Sequence, residues 1–286
     1  MIYKIENGFL SAEINDYGAE LHSLRSKQSG IEYLWQGNPD IWNGQSPLLF
    51  PIIGQLLDGR FNYKGKHYFL PKHGFARKSI FEFITLNDAS AVLSLKSNES
   101  TLAIYPFQFE LQVSFTLIEK GIKVSHTVIN KDDENMYFSI GAHPGFNCEL
   151  GDYLEFSEEE TLETERIGED AIVIDEKFPL LNCERKIEVT ADIFKNDALF
   201  LSGIKSSQIK LKSPRHNREL LFDFGKAPFL GIWAKPAAPY VCIEPWYGIN
   251  DSYHKAKNIS EKRGIQKLEA FESFNFAWSV QIIEPV

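Results

Sequence analysis

The most regular stretch of the chain is residues 107–117, where Phe107, Phe109, Leu111, Val113, Phe115 and Leu117 alternate with mostly polar neighbours. A period of two puts the apolar set on one face of a half-buried strand. After Glu119-Lys120-Gly121 the alternation resumes, with Ile122, Val124, His126 and Val128 set against Lys123, Ser125 and Thr127, which predicts a hairpin with Gly121 in its turn. Further strand-like pieces cover residues 8–14, 66–70, 81–86, 91–97, 136–140, 187–190, 208–212, 219–224, 229–234, 240–243 and 278–283. They are short, punctuated by Gly, Asn, Asp, Ser and Pro, and no long amphipathic helix lies between them. The pattern predicts an all-β fold, a large antiparallel β-sandwich, rather than alternating strands and helices. Residues 46–50, 190–194 and 248–251 are expected to form short helical turns, and the acidic run 155–165 reads as a solvated loop or edge. With no repeat, low-complexity tract or long polar linker, residues 1–286 read as one domain.

Composition narrows the function more than the fold. A formal net charge of -9 opposes the basic footprint of nucleic-acid binding. No run approaches the roughly 18 apolar residues of a membrane helix, and the start Met1-Ile2-Tyr3-Lys4 lacks the charged head and apolar stretch of a secretory signal, so a cytoplasmic location is expected. Cys148, Cys183 and Cys242 are widely spaced and form no CxxC pair, which argues against a disulfide framework. The histidines are scattered without an HExxH or HxH pair, so no metal is expected. No nucleotide-binding glycine motif or serine elbow occurs, so no cofactor is expected either.

Three acid/base residues stand in short frames rich in aromatics, Gly and Pro: His73 in Lys72-His73-Gly74-Phe75-Ala76-Arg77, His143 in Gly141-Ala142-His143-Pro144-Gly145-Phe146, and Glu244 in Ile243-Glu244-Pro245-Trp246-Tyr247-Gly248. One carboxyl and two imidazoles can take and give protons near neutral pH. His73 lies in a constrained turn where backbone can approach a ligand, or it is a turn histidine bonded to a carbonyl. His143 follows an apparent strand that Pro144 ends, and a satisfied core histidine is the plainer reading. Glu244 closes the apolar strand 240–243, and its neighbour Trp246 suggests a semi-apolar pocket rather than open surface. Cys242 shares the Glu244 face of that strand, and an inert buried thiol is its ordinary reading. Arg60 and Arg77 are possible clamps for hydroxyl or phosphate groups, although Asp58 stands close enough in sequence to occupy Arg60. Asp197 reads as a turn or cap residue unless a sugar site is assumed.

These frames, in this order, resemble the aldose 1-epimerase (mutarotase) family. Asn15-Asp16-Tyr17-Gly18-Ala19-Glu20-Leu21 is similar to the family's opening motif, and Gly59-Arg60-Phe61, His73-Gly74-Phe75-Ala76-Arg77, His143-Pro144-Gly145-Phe146, Asn196-Asp197 and Ile243-Glu244-Pro245-Trp246 follow in sequence. The resemblance implies the galactose mutarotase-like sandwich, a sugar as the small-molecule partner, and interconversion of its α and β anomers. It further implies Glu244 as general base, His143 as general acid, His73 on the ring-oxygen side, and Arg60 and Asp197 as substrate-binding residues. The wording around Arg77 is similar to the branch acting on hexose 6-phosphates. A carboxylate that raises the His143 pKa from about 6.5 is expected to help. Two alternatives stand beside this reading. One is a non-catalytic carbohydrate-binding or sugar-sensing protein on the same fold, suggested by aromatics such as Trp233, Trp246 and Tyr247. The other is glycoside hydrolysis by Glu244 with Asp197.

Overall fold

Period-two alternation produces the expected hairpin, with strands Phe109–Ile118 and Gly121–Asn130 paired along their length. Leu111, Val113, Phe115, Leu117, Ile122, Val124 and Val128 are buried, so the apolar face of both strands supplies core. The turn is Glu119-Lys120, and Gly121 opens the second strand instead of sitting in the turn. An added Cβ there would stand 2.4 Å from the Val280 carbonyl oxygen, so close approach of the neighbouring strand explains that glycine.

The computed structural model describes residues 1–168, 170–254 and 258–285. Among them the hairpin belongs to a 15-stranded antiparallel sheet. On one side it continues through Ser90–Lys96 to the edge strand Glu82–Leu86. On the other it passes through Ser273–Ile283, His216–Asp223 and Gln208–Ser213 to the long strand Tyr153–Ile167. Beyond that lie Leu199–Ser202, Phe229–Trp233, Tyr240–Tyr247, Ile140–Ala142 and the short Leu48–Leu49. A 3-stranded sheet of Ile2–Glu6, Leu10–Asn15 and Glu20–Ser26 adds its apolar face to the same core, which extends from Ile5 to Ile282. The result is an all-β sandwich of predominantly antiparallel strands. Among the described residues no helix is long and apolar enough to cross a membrane.

Several local expectations are corrected. The acidic run is part of the strand Tyr153–Ile167, not a loop. Glu158, Glu159 and Glu163 are exposed to solvent, whereas three carboxylates are satisfied from outside the strand: Glu155 by Lys212 at 3.1 Å, Glu160 by the Ser206 backbone N–H at 2.8 Å, and Glu165 by a two-pronged contact from Arg263. Leu154, Phe156 and Leu162 meanwhile point into the core. Residues 46–50 contain the strand Leu48–Leu49 and not a helical turn, residues 191–196 form non-helical turns, and residues 248–251 carry no helical turn. The α-helix Glu99–Ile104 was not anticipated. Its start is fixed by a capping box in which the Asn98 side chain accepts from the Thr101 N–H and the Asn98 N–H donates to Thr101 Oγ1.

Candidate active site

Glu244 lies in mid-strand, because Tyr240–Tyr247 runs on through Pro245, which stands opposite Leu230. Alternation places Cys242, Glu244 and Trp246 on one face, opposite Trp233, Gly231 and Phe229 of the adjacent strand. Gly231 and, on the other flank, Gly141 leave that face open. A Cβ at either would stand 2.5 Å or 2.6 Å from the Trp246 ring, so the indole lies across both backbones. Trp246 is buried and packs on Phe200 at 5.2 Å between ring centroids, forming a floor.

His143 sits between Ile140–Ala142 and Gly145–Asn147, both of which pair with the Glu244 strand. Its N–H donates to the Pro47 carbonyl at 3.1 Å, and its Nε2 is 3.3 Å from Glu244 Oε2. Trp42 and Trp233 flank the imidazole at 5.1 Å and 5.7 Å between centroids. His73 stands edge-on to His143 at 6.1 Å between ring centroids, on a left-handed backbone, φ 66. Its N–H donates to the Gly54 carbonyl at 2.8 Å, and its Nδ1 accepts the Gly54 N–H at 3.1 Å. In the neutral ring that bond leaves the proton on Nε2, so His73 faces its surroundings as a donor. Gly74 follows at φ 71, where a Cβ would be 2.2 Å from the Phe50 carbonyl oxygen. The turn that carries His73 is therefore tied to the chain by contacts a larger residue would break.

The three frames meet in one hollow of about 230 Å³, lined by His73, His143 and Glu244 together with Lys72, Arg77 and Asp197. That is under the roughly 300 Å³ at which drug-sized pockets begin and suits a single small ring. Asp197 is exposed at the rim, its φ of 73 held by an Oδ1 that accepts the Ala198 N–H at 2.7 Å. Arg77 donates through Nη2 to the Lys72 carbonyl at 3.1 Å, and its Nε is buried without a hydrogen-bond partner. Arg60 is not brought to the hollow's lining; its guanidinium turns to Asp58 at 3.6 Å. Trp246 contributes floor more than an open stacking face. Lys72, Trp42, Phe200 and Asn250 also line the hollow and were not singled out from the sequence. Only Lys72, one residue before His73, carried a local signal that could have found it.

Burial dominates the electrostatics. It drives the Glu244 carboxyl well above its usual range; the Trp246 indole draws it back, the charge of Asp197 raises it and that of Lys72 lowers it. Burial also depresses His143 to about 3, and the positive charges of Arg77 and Lys72 add to that. His73 is pushed well below the ordinary histidine range by burial first, then by His143, Arg77 and Lys72. The carboxylate beside His143 thus fails to lift it as the sequence suggested. Glu244 Oε2, His143 Nδ1 and Trp246 Nε1 are buried without hydrogen-bond partners in the protein. Such orphaned polar atoms gathered in a hollow mark a place where a polar ligand completes the bonding.

Comparison with known proteins agrees with this fold. The sequence pattern of the aldose 1-epimerase family matches residues 1–266. The chain is 32% identical over 299 aligned positions to protein LacX of Lactococcus lactis subsp. lactis, in plasmid and chromosomal forms, covering 99% of this chain and 100% of LacX. A galactose mutarotase related enzyme from Lactobacillus acidophilus superposes with a TM-score of 0.94 at 33% identity, covering 99% of this chain and 98% of the other. A galactose mutarotase-like protein from Lactobacillus casei gives the same TM-score at 28% identity, covering 99% and 100%.

Proposed function

Since the chain belongs to the aldose 1-epimerase family and is an isomerase acting on carbohydrates, we propose that it interconverts the α and β anomers of a hexose by acid/base ring opening. The observation that carries this is His143 Nε2 at 3.3 Å from Glu244 Oε2 on the floor of a sugar-sized hollow. Glu244 takes the proton of the anomeric hydroxyl. The O–H electrons become the second C1–O1 bond, the C1–O5 bond breaks toward O5, and His143 protonates O5. Rotation about C1–C2 turns the other face of the aldehyde, and closure reverses both transfers. One proton enters the pair and one leaves, so the pair's proton count is conserved. Burial disfavours the charged form of both groups, and the sugar offsets it: a hydroxyl donating to Glu244 favours the carboxylate, and a ring oxygen accepting from His143 favours the imidazolium. His73, with its proton on Nε2, donates to the ring-oxygen side, and Asp197 accepts a hydroxyl at the rim.

The test is polarimetry on freshly dissolved α-glucose and α-galactose. Glu244→Gln and His143→Asn each lower the enzymatic rate by at least about a hundredfold, the scale of general acid/base contributions, with unchanged circular dichroism. Full activity in both variants discards the roles. Sugar binding by calorimetry with no rate enhancement in the wild type returns the sugar-sensing alternative.

The substrate carries an anionic substituent in this reading. Lys72 and Arg77 stand together at the lining, and among the described residues neither has a carboxylate within ion-pair distance. Two cations beside a sugar-sized hollow, with only the longer-range charges of Glu20 on Arg77 and of Glu244 on Lys72 to offset them, match a phosphate on a hexose. In a panel of free hexoses against their 6-phosphates, the phosphates give the higher kcat/KM. Arg77→Ala lowers kcat/KM for the phosphates by about tenfold or more and leaves the free sugars little changed. Equal losses on both classes count against the phosphate.

A further inference from the structure

Cys242 is absent from the chemistry proposed above, yet it stands two residues from Glu244 on the same strand face and beneath His143. A ring nitrogen of His143, Sγ of Cys242 and a carboxylate oxygen of Glu244 all lie within 4.8 Å of one another. Sequence spacing hides this trio, because His143 arrives from the neighbouring turn, where Gly145 pairs with Cys242. Glu244 is 1% exposed, and its Oε2 has no hydrogen-bond partner, so a buried acceptor is aimed into the cluster as well as the thiol.

We propose that His143, Cys242 and Glu244 form a site for a thiophilic divalent cation, zinc above all, which occupies the acid and the base of the reaction at once. The inference rests on that catalytic reading for its consequence but not for its geometry. Ligand atoms about a tetrahedral zinc stand roughly 2.0–2.3 Å from the metal, hence within about 4 Å of each other, close to the 4.8 Å within which these three atoms lie. One thiolate, one imidazole and one carboxylate suit zinc and not magnesium, which prefers an all-oxygen, near-octahedral shell. Charge balances in the buried setting: a dipositive ion with a thiolate, a carboxylate and a neutral imidazole leaves no net charge to desolvate. Binding forms the metal–sulfur, metal–nitrogen and metal–oxygen bonds and releases to solvent the thiol proton and any proton that the imidazole nitrogen or the carboxyl holds. A tetrahedral zinc would keep its fourth position for water or a sugar hydroxyl.

Two measurements on the full chain test this. Zinc slows anomer interconversion, a chelator restores it and magnesium at equal concentration does nothing. Cys242→Ala keeps the metal-free rate and needs about tenfold more zinc for half inhibition. Cobalt(II), used as a spectroscopic probe, gives a thiolate-to-cobalt charge-transfer absorption that is lost in Cys242→Ala and weakened in the near-isosteric Glu244→Gln. The comparison discounts Cys148 and Cys183, which both variants retain. Absence of the cobalt absorption in the wild type, or its persistence unchanged in both variants, overturns the site. A cobalt absorption that obeys the variants in a protein without anomerase activity keeps the site and removes the catalytic reading.

Discussion

Glu244 has Ile243 and Pro245 as chain neighbours and Gly231 across the strand, so nothing beside it offers a fixed positive charge in direct contact. Its only ion-pair partner among the described residues is an imidazole that burial itself keeps uncharged. A free histidine titrates near 6.5, but His143 is held at about 3 and Glu244 is moved the opposite way. His143 therefore stays uncharged across the pH range in which an exposed histidine would change charge. The expected result is a kcat/KM profile without a limb near 6.5, falling on the acid side only as the pH approaches the His143 value. A clear inflection at the ordinary imidazole value shows that His143 titrates freely. At this scale the sequence was informative where chemistry and backbone coincide. His73, His143 and Glu244 stand in frames whose Gly and Pro residues announce special geometry, and they do meet in one hollow. Arg60 does not line the hollow, because a guanidinium chooses between partners in three dimensions, and the alternative the sequence offered, Asp58, stands 3.6 Å from it. Trp42 and Asn250 come from loops whose approach depends on tertiary packing alone.

Elements were legible in proportion to how much of their pattern is local. The hairpin of Phe109–Ile118 with Gly121–Asn130 follows from alternation and a tight turn. The strand Tyr153–Ile167 did not, because three of its acidic side chains are satisfied by Lys212, Arg263 and backbone donors distant in sequence. The same dependence on distant partners governs the turn that carries His73. Its backbone is pinned where Gly74 meets Phe50, whose carbonyl also accepts the Phe75 and Ala76 N–H groups at 3.0 Å and 3.1 Å. Gly74→Ala places a methyl against that carbonyl at positive φ and costs at least about 2 kcal/mol, read from the urea midpoint. Activity falls with it, because the turn cannot relax without moving His73. A variant of wild-type stability and rate contradicts this account of the turn.

Across the whole molecule three histidines are kept neutral by burial: His73 and His143 in the hollow, and His126 in the hairpin core, where it stacks on Phe276 at 4.4 Å and is held at about 3. Each has a folded value below its unfolded one, so the unfolded chain binds the extra protons. The stability they leave intact above 6.5 is lost as the pH falls toward the folded values. Glu244, raised in the fold, acts with the opposite sign and favours the folded state on the acid side. Replacing His126 by Phe isolates one contribution away from the hollow. Wild type loses about 2 kcal/mol more than His126→Phe between neutral pH and about pH 5. Urea unfolding at the two pH values measures it, and parallel losses in both proteins refute it. The order of strands in the large sheet was beyond reading from pattern, since neighbours such as Tyr153–Ile167 and Gln208–Ser213 are joined by contacts that no local period encodes.

Two missing side chains set the capacity of the molecule's chemistry. Because Gly141 and Gly231 yield their space to a single indole, the depth of the cup is decided at one codon, position 246, and not by His143 and Glu244. Trimming that ring would deepen the cup beneath the ligand at a cost of about 3–5 kcal/mol. Adapting this scaffold to a bulkier guest therefore begins under the guest and not around its edge.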